Sequence, residues 1–168
     1  PTDIHLHDTY YVIGHFHYLV APGTMFALFA AIYHWFPKIT GRRLDERLGL
    51  VHFIGSFVGM NAVFLPMFLM GIMGVNRRMY DAGLQYQLAE PTLAWNPHMT
   101  WNAVALGVFQ LVFLFNIVWS AKRGVPADNP WQATTLEGAT TSPPPPGNFA
   151  EPPDIGEPRP RIVPCCLK

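Results

Sequence analysis

Four side chains near the N-terminus have the chemistry and the spacing of metal ligands. The stretch LHDTYYVIGHFHY carries His7 beside Asp8, followed by His15 and His17 two residues apart. Imidazole is a common axial ligand of haem iron, and an imidazole with a carboxylate suits a divalent ion. Because a helix turns about 100° per residue, His15 and His17 point about 200° apart and cannot both reach one metal. Each can instead serve a different centre, one on either side of the helix.

The same residues also have structural interpretations. A histidine inside a span can simply hydrogen-bond a neighbouring helix, although two histidines back to back favour a function. Asp8 lies two turns before His15, so a helix that already contains Asp8 would place it on the face of His15, about 10 Å nearer the membrane surface. Alternatively, Asp8 beside His7 is a helix cap, since Asp is favoured at helix N-termini.

The elements that position these residues follow from where charges are missing. The 168-residue chain is 50% hydrophobic, and its 11 basic and 11 acidic residues balance to zero net charge, which gives no sign of nucleic-acid binding. All of them fall outside three windows, residues 10–36, 50–75 and 98–121. Each window exceeds the roughly 20 residues that cross about 30 Å of hydrocarbon, whereas a soluble core helix rarely runs so long without a charge. The sequence therefore predicts an all-α membrane protein with three transmembrane helices.

The basic residues between the windows indicate the orientation. Four of them lie in the loop 38–49, and two more directly follow the third window, whereas the loop 76–97 has only Arg77 and Arg78. Since cytoplasmic loops collect Lys and Arg, we predict that the first loop and the C-terminus are cytoplasmic. A partner is then needed to hold the two arginines on the outside, either Asp81 or carboxylates from beyond their loop.

The remaining residues, 122–168, have a different composition. They contain 11 of the 17 prolines, with SPPPPGNFAEPP at the centre. Consecutive prolines favour polyproline II over helix or interior strand, so we predict an extended tail that is disordered or lies along a partner's surface. Cys165 and Cys166 are adjacent, and neighbouring cysteines seldom form a disulfide, which suggests two thiols on a mobile tail. The predicted domains are a transmembrane haem-binding region, 1–121, and this proline-rich cytoplasmic tail.

Other histidines and prolines in the windows are expected to be structural. His34, His52 and His98 lie near window ends, where a histidine can reach water. Pro22 and Pro66 lie inside spans and should kink them, with neighbouring groups satisfying the freed carbonyls. The first window is too long for a signal peptide and has no basic residue before it. The chain lacks an initiator Met, which is expected of a fragment or a processed piece.

Together these segments resemble the catalytic subunit (subunit I) of the haem–copper terminal oxidases, the A-type cytochrome c oxidases. LHDTYYVIGHFHY resembles the tenth-helix signature of that family. The segments that follow agree in order: HWFPKITGR, HFIGSFVGMN, an Arg pair and SPPPPGNF. The family has twelve transmembrane helices, so the resemblance, which covers essentially the whole chain, implies that these are the last three of a twelve-helix bundle.

By this resemblance, one helix stands between two haems and holds both. His15 corresponds to the axial ligand of the high-spin haem, where oxygen binds, and His17 to an axial ligand of the low-spin haem, which supplies electrons. The implied function is that of a respiratory oxidase, which reduces oxygen to water at a haem–copper centre and pumps protons. The copper ligands and the other low-spin haem ligand belong to the rest of the family's fold, so this chain alone is not expected to be active.

The resemblance also assigns roles to charged residues near the outer surface. His7 and Asp8 correspond to the family's magnesium site. Arg77 and Arg78 correspond to the pair that binds haem propionates. Asp3 corresponds to an acid near the propionates of the high-spin haem.

The implied partners are the remaining helices of subunit I, subunits II and III, cytochrome c as the electron donor, oxygen and the lipid bilayer. We expect a bacterial plasma membrane rather than the mitochondrial inner membrane. Two alternatives stay open. A quinol oxidase of the same superfamily differs in its donor, which is decided largely outside this sequence. A non-catalytic haem-anchoring membrane subunit requires a second axial histidine on a facing helix, whereas His34 and His52 lie toward the opposite side of the membrane from His17 in the predicted topology.

Overall fold

The computed structural model of the chain describes residues 2–80 and 90–151. Within these residues the chain is helical, and its β-structure is limited to isolated bridges. The helices are α1 (Asp3–Leu6), α2 (Tyr10–Val20), α3 (Ala27–Thr40), α4 (Glu46–Ile72), α5 (Trp95–Arg123) and α6 (Leu136–Ala139), with a π-helical segment (Ala21–Phe26) joining α2 to α3 and a 3-10 turn (Glu90–Ala94) preceding α5. The prediction of an all-α protein is confirmed.

Three stretches of the described residues are long and apolar enough to cross a membrane. They are Tyr10–Thr40, Glu46–Ile72 and Glu90–Arg123. Each overlaps one of the uncharged windows, so the prediction of three spans is confirmed. The middle helix ends before its window does because the chain turns at Gly74, whose φ of 90° lies in the left-handed region that favours glycine.

The first span changes helix type where the sequence predicts a kink. The backbone is π-helical over Ala21–Phe26, and Pro22 occupies the first turn of that segment. Proline has no N–H to bond to the preceding turn, and π turns are one of the usual places where a helix bends. Pro66 behaves differently, since α4 continues through it without a break to Ile72.

The described residues form two compact units, of which the first comprises residues up to Ala30 together with Glu46–Asn116. Close approaches at glycines bring its helices together. A Cβ added to Gly71 of α4 would lie 2.1 Å from the backbone nitrogen of Tyr11 in α2. A Cβ added to Gly55 would lie 2.2 Å from the ring of Phe109 in α5. Because neither position has room for a side chain, glycine sets how closely α4 packs against both of its neighbours.

His52 is buried inside this first unit, so the expectation that it reaches water is wrong. The residue is 2% exposed, and its Nε2 lies 3.2 Å from Oε1 of Gln110 on α5. The Gln110 side chain in turn donates to Oγ of Ser56 at 2.9 Å. Polar atoms in a span need such partners because lipid supplies none. His34 and His98 are exposed.

The second unit comprises Ala31–Asp45 and the residues from Ile117 on. Arg42 connects its two parts, because Nη1 donates to the carbonyl oxygens of Lys122 and Gly124 at 3.2 and 3.1 Å. The last carbonyls of a helix have no partner within the helix and carry partial negative charge. The basic loop therefore also satisfies the C-terminal end of α5.

The described part of the tail, residues 122–151, belongs to the second unit and contacts its other segment. Lys38 Nζ, near the end of α3, donates to the carbonyl oxygen of Thr140 at 2.8 Å. The sequence predicted a tail that is disordered or lies on a partner, whereas these residues contact their own chain. Extended backbone does not use its carbonyls internally, so they are available to a nearby lysine. Cys165 and Cys166 lie outside the described residues.

Candidate functional site

The helix that carries the histidine pair begins at Tyr10 and is capped by Thr9. The Thr9 hydroxyl accepts a hydrogen bond from the backbone nitrogen of Tyr11 at 3.3 Å. Asp8 precedes the cap with a φ of 57°, so it lies outside the helix. Both predicted placements of Asp8, on the helix face of His15 and as the helix cap, are therefore wrong. The reason is that threonine is itself a favoured cap, and the Thr9 side chain satisfies one of the free N–H groups at the start of the helix.

Asp8 instead pairs with Arg77, which follows α4. Arg77 Nε donates to Asp8 Oδ1 at 2.7 Å, and Nη2 contacts the same oxygen. The hydrogen bond from Arg77 holds the pKa of Asp8 below its ordinary value. The partner of Arg77 is thus a carboxylate from beyond its own loop, which is one of the two predicted possibilities. Asp81, the other possibility, lies outside the described residues.

Backbone pairing joins the start of α2 to the end of α4. Tyr10 N donates to Val75 O at 2.9 Å, and Arg77 N donates to Asp8 O at 2.8 Å. Between these bonds, Thr9 and Asn76 form an antiparallel bridge. The segments 8–10 and 75–77 are therefore held side by side, which brings the predicted metal and propionate residues to one end of the first unit.

The other predicted outer residues are less constrained. Arg78 is exposed and has a φ of 64°, and Asp3 is exposed in the short helix α1. The structure therefore brings Arg77 and Asp8 together and leaves the side chains of Arg78 and Asp3 accessible.

His7 and Asp8 form the candidate metal site. His7 Nε2 lies 3.2 Å from Asp8 Oδ2, so an imidazole nitrogen and a carboxylate oxygen are adjacent. This donor chemistry fits a hard divalent cation, which takes about six ligands. In residues 2–80 and 90–151, no three His, Cys, Asp or Glu side chains converge on one point. The pair therefore fits a magnesium ion only as a partial donor set that other groups complete.

α2 presses a strip of three residues against α4: Tyr11, Gly14 and Tyr18. Tyr11 meets the ring of Phe68 edge-on at 4.9 Å. Gly14 is buried, with its close contacts all on α4. The Tyr18 hydroxyl donates to Oδ1 of Asn61 at 2.7 Å. This strip fixes how α2 is rotated about its own axis relative to α4.

The two histidines lie on either side of that strip. At about 100° per residue, His15 is about 70° from its centre in one direction and His17 about 90° in the other. The side chain of His15 is exposed, and that of His17 is half-buried. The packing of α2 on α4 therefore leaves both flanks of the helix available to ligands, with one histidine on each.

The His17 ring is held by a hydrogen bond and by aromatic contacts. Nδ1 lies 2.8 Å from the carbonyl oxygen of Ile13 and so acts as the donor, which in the neutral ring leaves the Nε2 lone pair available to a ligand. The ring stacks on Phe64 of α4 at a centroid distance of 4.3 Å, and the tilted ring of Phe16 lies at 4.4 Å. A neutral imidazole of fixed tautomer in apolar surroundings is the form that ligates haem iron. His17 therefore fits an axial haem ligand.

Sequence reasoning missed two residues of this site. Asn61 is polar and lies inside an uncharged window, so its position alone marks it as needing a partner, which is Tyr18. Phe64 carries no such signal, because phenylalanine is ordinary in a span. Its contact with His17 depends on how α2 crosses α4 and is visible only in the folded chain.

The chain is similar to known oxidase subunits over most of its length. Residues 1–118 match the family described as cytochrome C and quinol oxidase polypeptide I. The chain is 47% identical over 154 residues to cytochrome c oxidase subunit 1 of Synechocystis sp. and 50% identical over 147 residues to cytochrome c oxidase subunit 1 of Thermostichus vulcanus. It is 42% identical over 144 residues to alternative cytochrome c oxidase subunit 1 of Bradyrhizobium diazoefficiens.

These alignments cover 91%, 86% and 85% of the chain but only 27%, 25% and 24% of the three relatives. The chain therefore spans about a quarter of the length of the curated relatives it matches. The family match includes α2, α4 and every candidate ligand on them. The resemblance based on the histidine stretch and the order of the later segments is confirmed. This chain belongs to the cytochrome c and quinol oxidase polypeptide I family.

Proposed function

We propose that this chain is the haem-binding C-terminal portion of subunit I of a respiratory cytochrome c oxidase. Its complex reduces oxygen to water at a haem–copper centre and pumps protons. The observation that carries the proposal is the placement of His15 and His17 on the two flanks of one helix, with the tautomer of His17 set by Ile13. The remaining helices of subunit I, together with subunits II and III, supply the copper ligands and the rest of the complex.

His15 holds the high-spin haem and His17 holds the low-spin haem. When bound, the haem irons supply one-electron chemistry and, at the high-spin site, the place where oxygen binds. The role of this chain is to keep two imidazoles on a single rigid helix, so that the two centres stay at a fixed separation. α4 shields one side of that helix from lipid and water through Tyr11, Gly14 and Tyr18.

Arg77 and Arg78 hold haem propionates at the outer end of the bundle. His15 and His17 follow the start of α2 by five and seven residues, about 8–10 Å at 1.5 Å per residue. Without the arginines, propionates within the membrane would be unpaired negative charges at low dielectric. A guanidinium group can pair with a carboxylate through two parallel hydrogen bonds. Asp8 binds Nε and Nη2 of Arg77 and thereby orients it. Asp3 is proposed to lie near the propionates of the high-spin haem.

His7 and Asp8 contribute two ligands to a magnesium ion near the outer surface. The adjacency of their donor atoms at 3.2 Å supports this role. The location that we propose is a bacterial plasma membrane, with the tail, 122–168, in the cytoplasm and the region 1–121 in the membrane. The four basic residues of the loop 38–49 support this orientation.

Separate replacement of the two histidines in the assembled oxidase tests the proposal. His15→Ala should abolish carbon monoxide binding to the reduced high-spin haem and leave the low-spin spectrum. His17→Ala should remove the low-spin spectrum. His34→Ala, at an exposed histidine of α3, is the matched control and should retain both. If either of the first two variants kept both spectra intact, the ligand assignment would be wrong.

The family description also covers quinol oxidases, so quinol is the second candidate donor. We favour cytochrome c because the relatives above are named cytochrome c oxidases. Family membership likewise favours an oxidase over a non-catalytic haem-anchoring subunit. Oxygen uptake by the purified complex with reduced cytochrome c, compared with uptake with a quinol, decides between the donors. Turnover with quinol but not with cytochrome c would show that quinol is the electron donor.

A further inference from the structure

We infer that Phe64 is a positioning residue for His17: by stacking on the imidazole, it sets the plane in which that ring meets a haem iron. The inference rests on the proposed role of His17 as the low-spin haem ligand. The two rings have a centroid distance of 4.3 Å and an interplanar angle of 15°. Phe64 belongs to α4, so it acts on the ligand from a different helix.

The stacking supplies a restraint that the hydrogen bond alone does not. The last torsion of a histidine side chain is broad, without sharp staggered minima. The bond from Nδ1 to Ile13 O fixes one atom of the ring at 2.8 Å, about which the ring plane can still tilt. A flat neighbour parallel to the ring restricts that tilt. Phe16 is less suited to this task because it is tilted by 31° and is 40% exposed.

The position of Phe64 is itself fixed by close packing. A Cβ added to Gly14 would lie 3.2 Å from the carbonyl oxygen of Phe64, so α2 touches the backbone of α4 at this residue. One helical turn away, the hydrogen bond between Tyr18 and Asn61 prevents the two helices from sliding. The plane of the His17 ring is therefore coupled to the packing of α2 on α4.

The expected consequence is spectroscopic. The orientation of an axial imidazole plane determines how the iron d orbitals split, and so determines the g values of a ferric low-spin haem. Groups around an axial ligand also tune the reduction potential of the haem. Loss of the stacked ring should change both quantities while the histidine itself remains bound.

The experiment compares three variants of the assembled oxidase by electron paramagnetic resonance of the ferric low-spin haem. Phe64→Leu removes the ring but keeps an apolar side chain and should shift the g values. Phe64→Tyr keeps a ring and should restore them. Phe68→Leu is the matched control: Phe68 is one turn further along α4 and contacts Tyr11 and Tyr18. The control loosens helix packing but keeps the ring that stacks on His17, so it should shift the g values less than Phe64→Leu does.

Two outcomes would overturn the inference. One is an assembled Phe64→Leu enzyme with wild-type g values, and the other is an equal shift in Phe68→Leu, which would point to general loosening of the helices. If Phe64→Leu does not assemble, Phe64→Met replaces it under the same criteria. Loss of the low-spin spectrum in His17→Ala is measured in parallel. A spectrum retained in His17→Ala refutes the haem-ligand proposal, whereas unchanged g values in the Phe64 variants refute only this inference.

Discussion

Arg77 and Asp8 are joined twice although 69 residues separate them along the chain. The guanidinium Nε donates to the Asp8 carboxylate at 2.7 Å, and the Arg77 backbone nitrogen donates to the Asp8 carbonyl at 2.8 Å. This double link connects the end of α4 to the residue that precedes the cap of α2. It also gives Asp8 two proposed tasks, because one carboxylate oxygen faces Arg77 and the other faces His7.

The oxidase with Asp8→Asn should lose less stability in acid than the wild-type oxidase does. The pKa of Asp8 is lowered from 3.8, chiefly by the hydrogen bond from Arg77. A carboxyl group with a depressed pKa contributes stability above its ordinary pKa, and that contribution disappears as the pH falls through the folded value. The thermal midpoint of the assembled wild-type oxidase should therefore fall more steeply than that of Asp8→Asn below about pH 4. Parallel curves would show that the pair does not contribute to stability.

Loss of His7 or Asp8 should weaken the binding of a divalent ion at the outer end of the bundle. Cells grown with manganese should incorporate a paramagnetic ion there, visible by electron paramagnetic resonance. His7→Ala and Asp8→Asn should broaden or erase its signal, with a fall in affinity on the order of 10-fold or more. His5→Ala changes an exposed neighbour on α1 and should leave the signal as it is. An unaltered signal in the first two variants would leave the pair with only its structural contacts.

Gly71→Ala should separate α2 from α4. The added methyl would lie 2.1 Å from the Tyr11 backbone nitrogen, and backbone cannot move aside as a side chain does. Overpacking of this kind costs about 1–3 kcal/mol. Gly107→Ala is the control, because its Cβ would meet nothing within 4 Å and alanine favours helix by about 1 kcal/mol. The yield and thermal midpoint of the assembled oxidase should fall for Gly71→Ala alone; equal yields would contradict the contact.

Arg77→Gln and Arg78→Gln should each lower the reduction potential of at least one haem. A positive charge near the propionates disfavours the oxidised haem, which is the more positive form, so its removal makes reduction harder. Arg77→Gln also leaves the Asp8 carboxylate without its cation, which acts in the same direction. Lys122→Gln, at the far end of α5, is the control and should leave the potentials in place. Redox titration followed by absorbance measures the effect. Unchanged potentials in both variants would show that the arginines do not bind the propionates.

Cysteine labelling checks the orientation of the spans. In a background without Cys165 and Cys166, Glu46→Cys should resist an impermeant thiol reagent added to intact cells, because it lies in the basic loop. Tyr80→Cys should react, since Tyr80 is fully exposed and follows the second span on the outer side. Permeabilised cells should label both, which controls for reactivity. Labelling of Glu46→Cys from outside would show that the topology is the opposite of the one proposed.

The spans and the placement of the two histidines on different flanks of one helix follow from sequence alone. Hydrocarbon tolerates few charges, so uncharged windows of more than about 20 residues identify membrane helices without knowledge of their neighbours. The helical rotation per residue is likewise a local property, which places His15 and His17 on different flanks wherever the helix packs. The motifs also identified the family, because their residue types and order are specific.

Contacts between distant segments required the tertiary structure. Asp8 was expected on or at the cap of a helix, but Thr9 forms the cap and Asp8 reaches Arg77 instead. His52 is buried because Gln110, on another helix, satisfies it. Phe64 stacks on His17 only because glycines let α2 and α4 approach closely. Local sequence sets helix type and periodicity, whereas the neighbours of a polar or aromatic group depend on which helices cross and at what distance, and only the folded chain decides that.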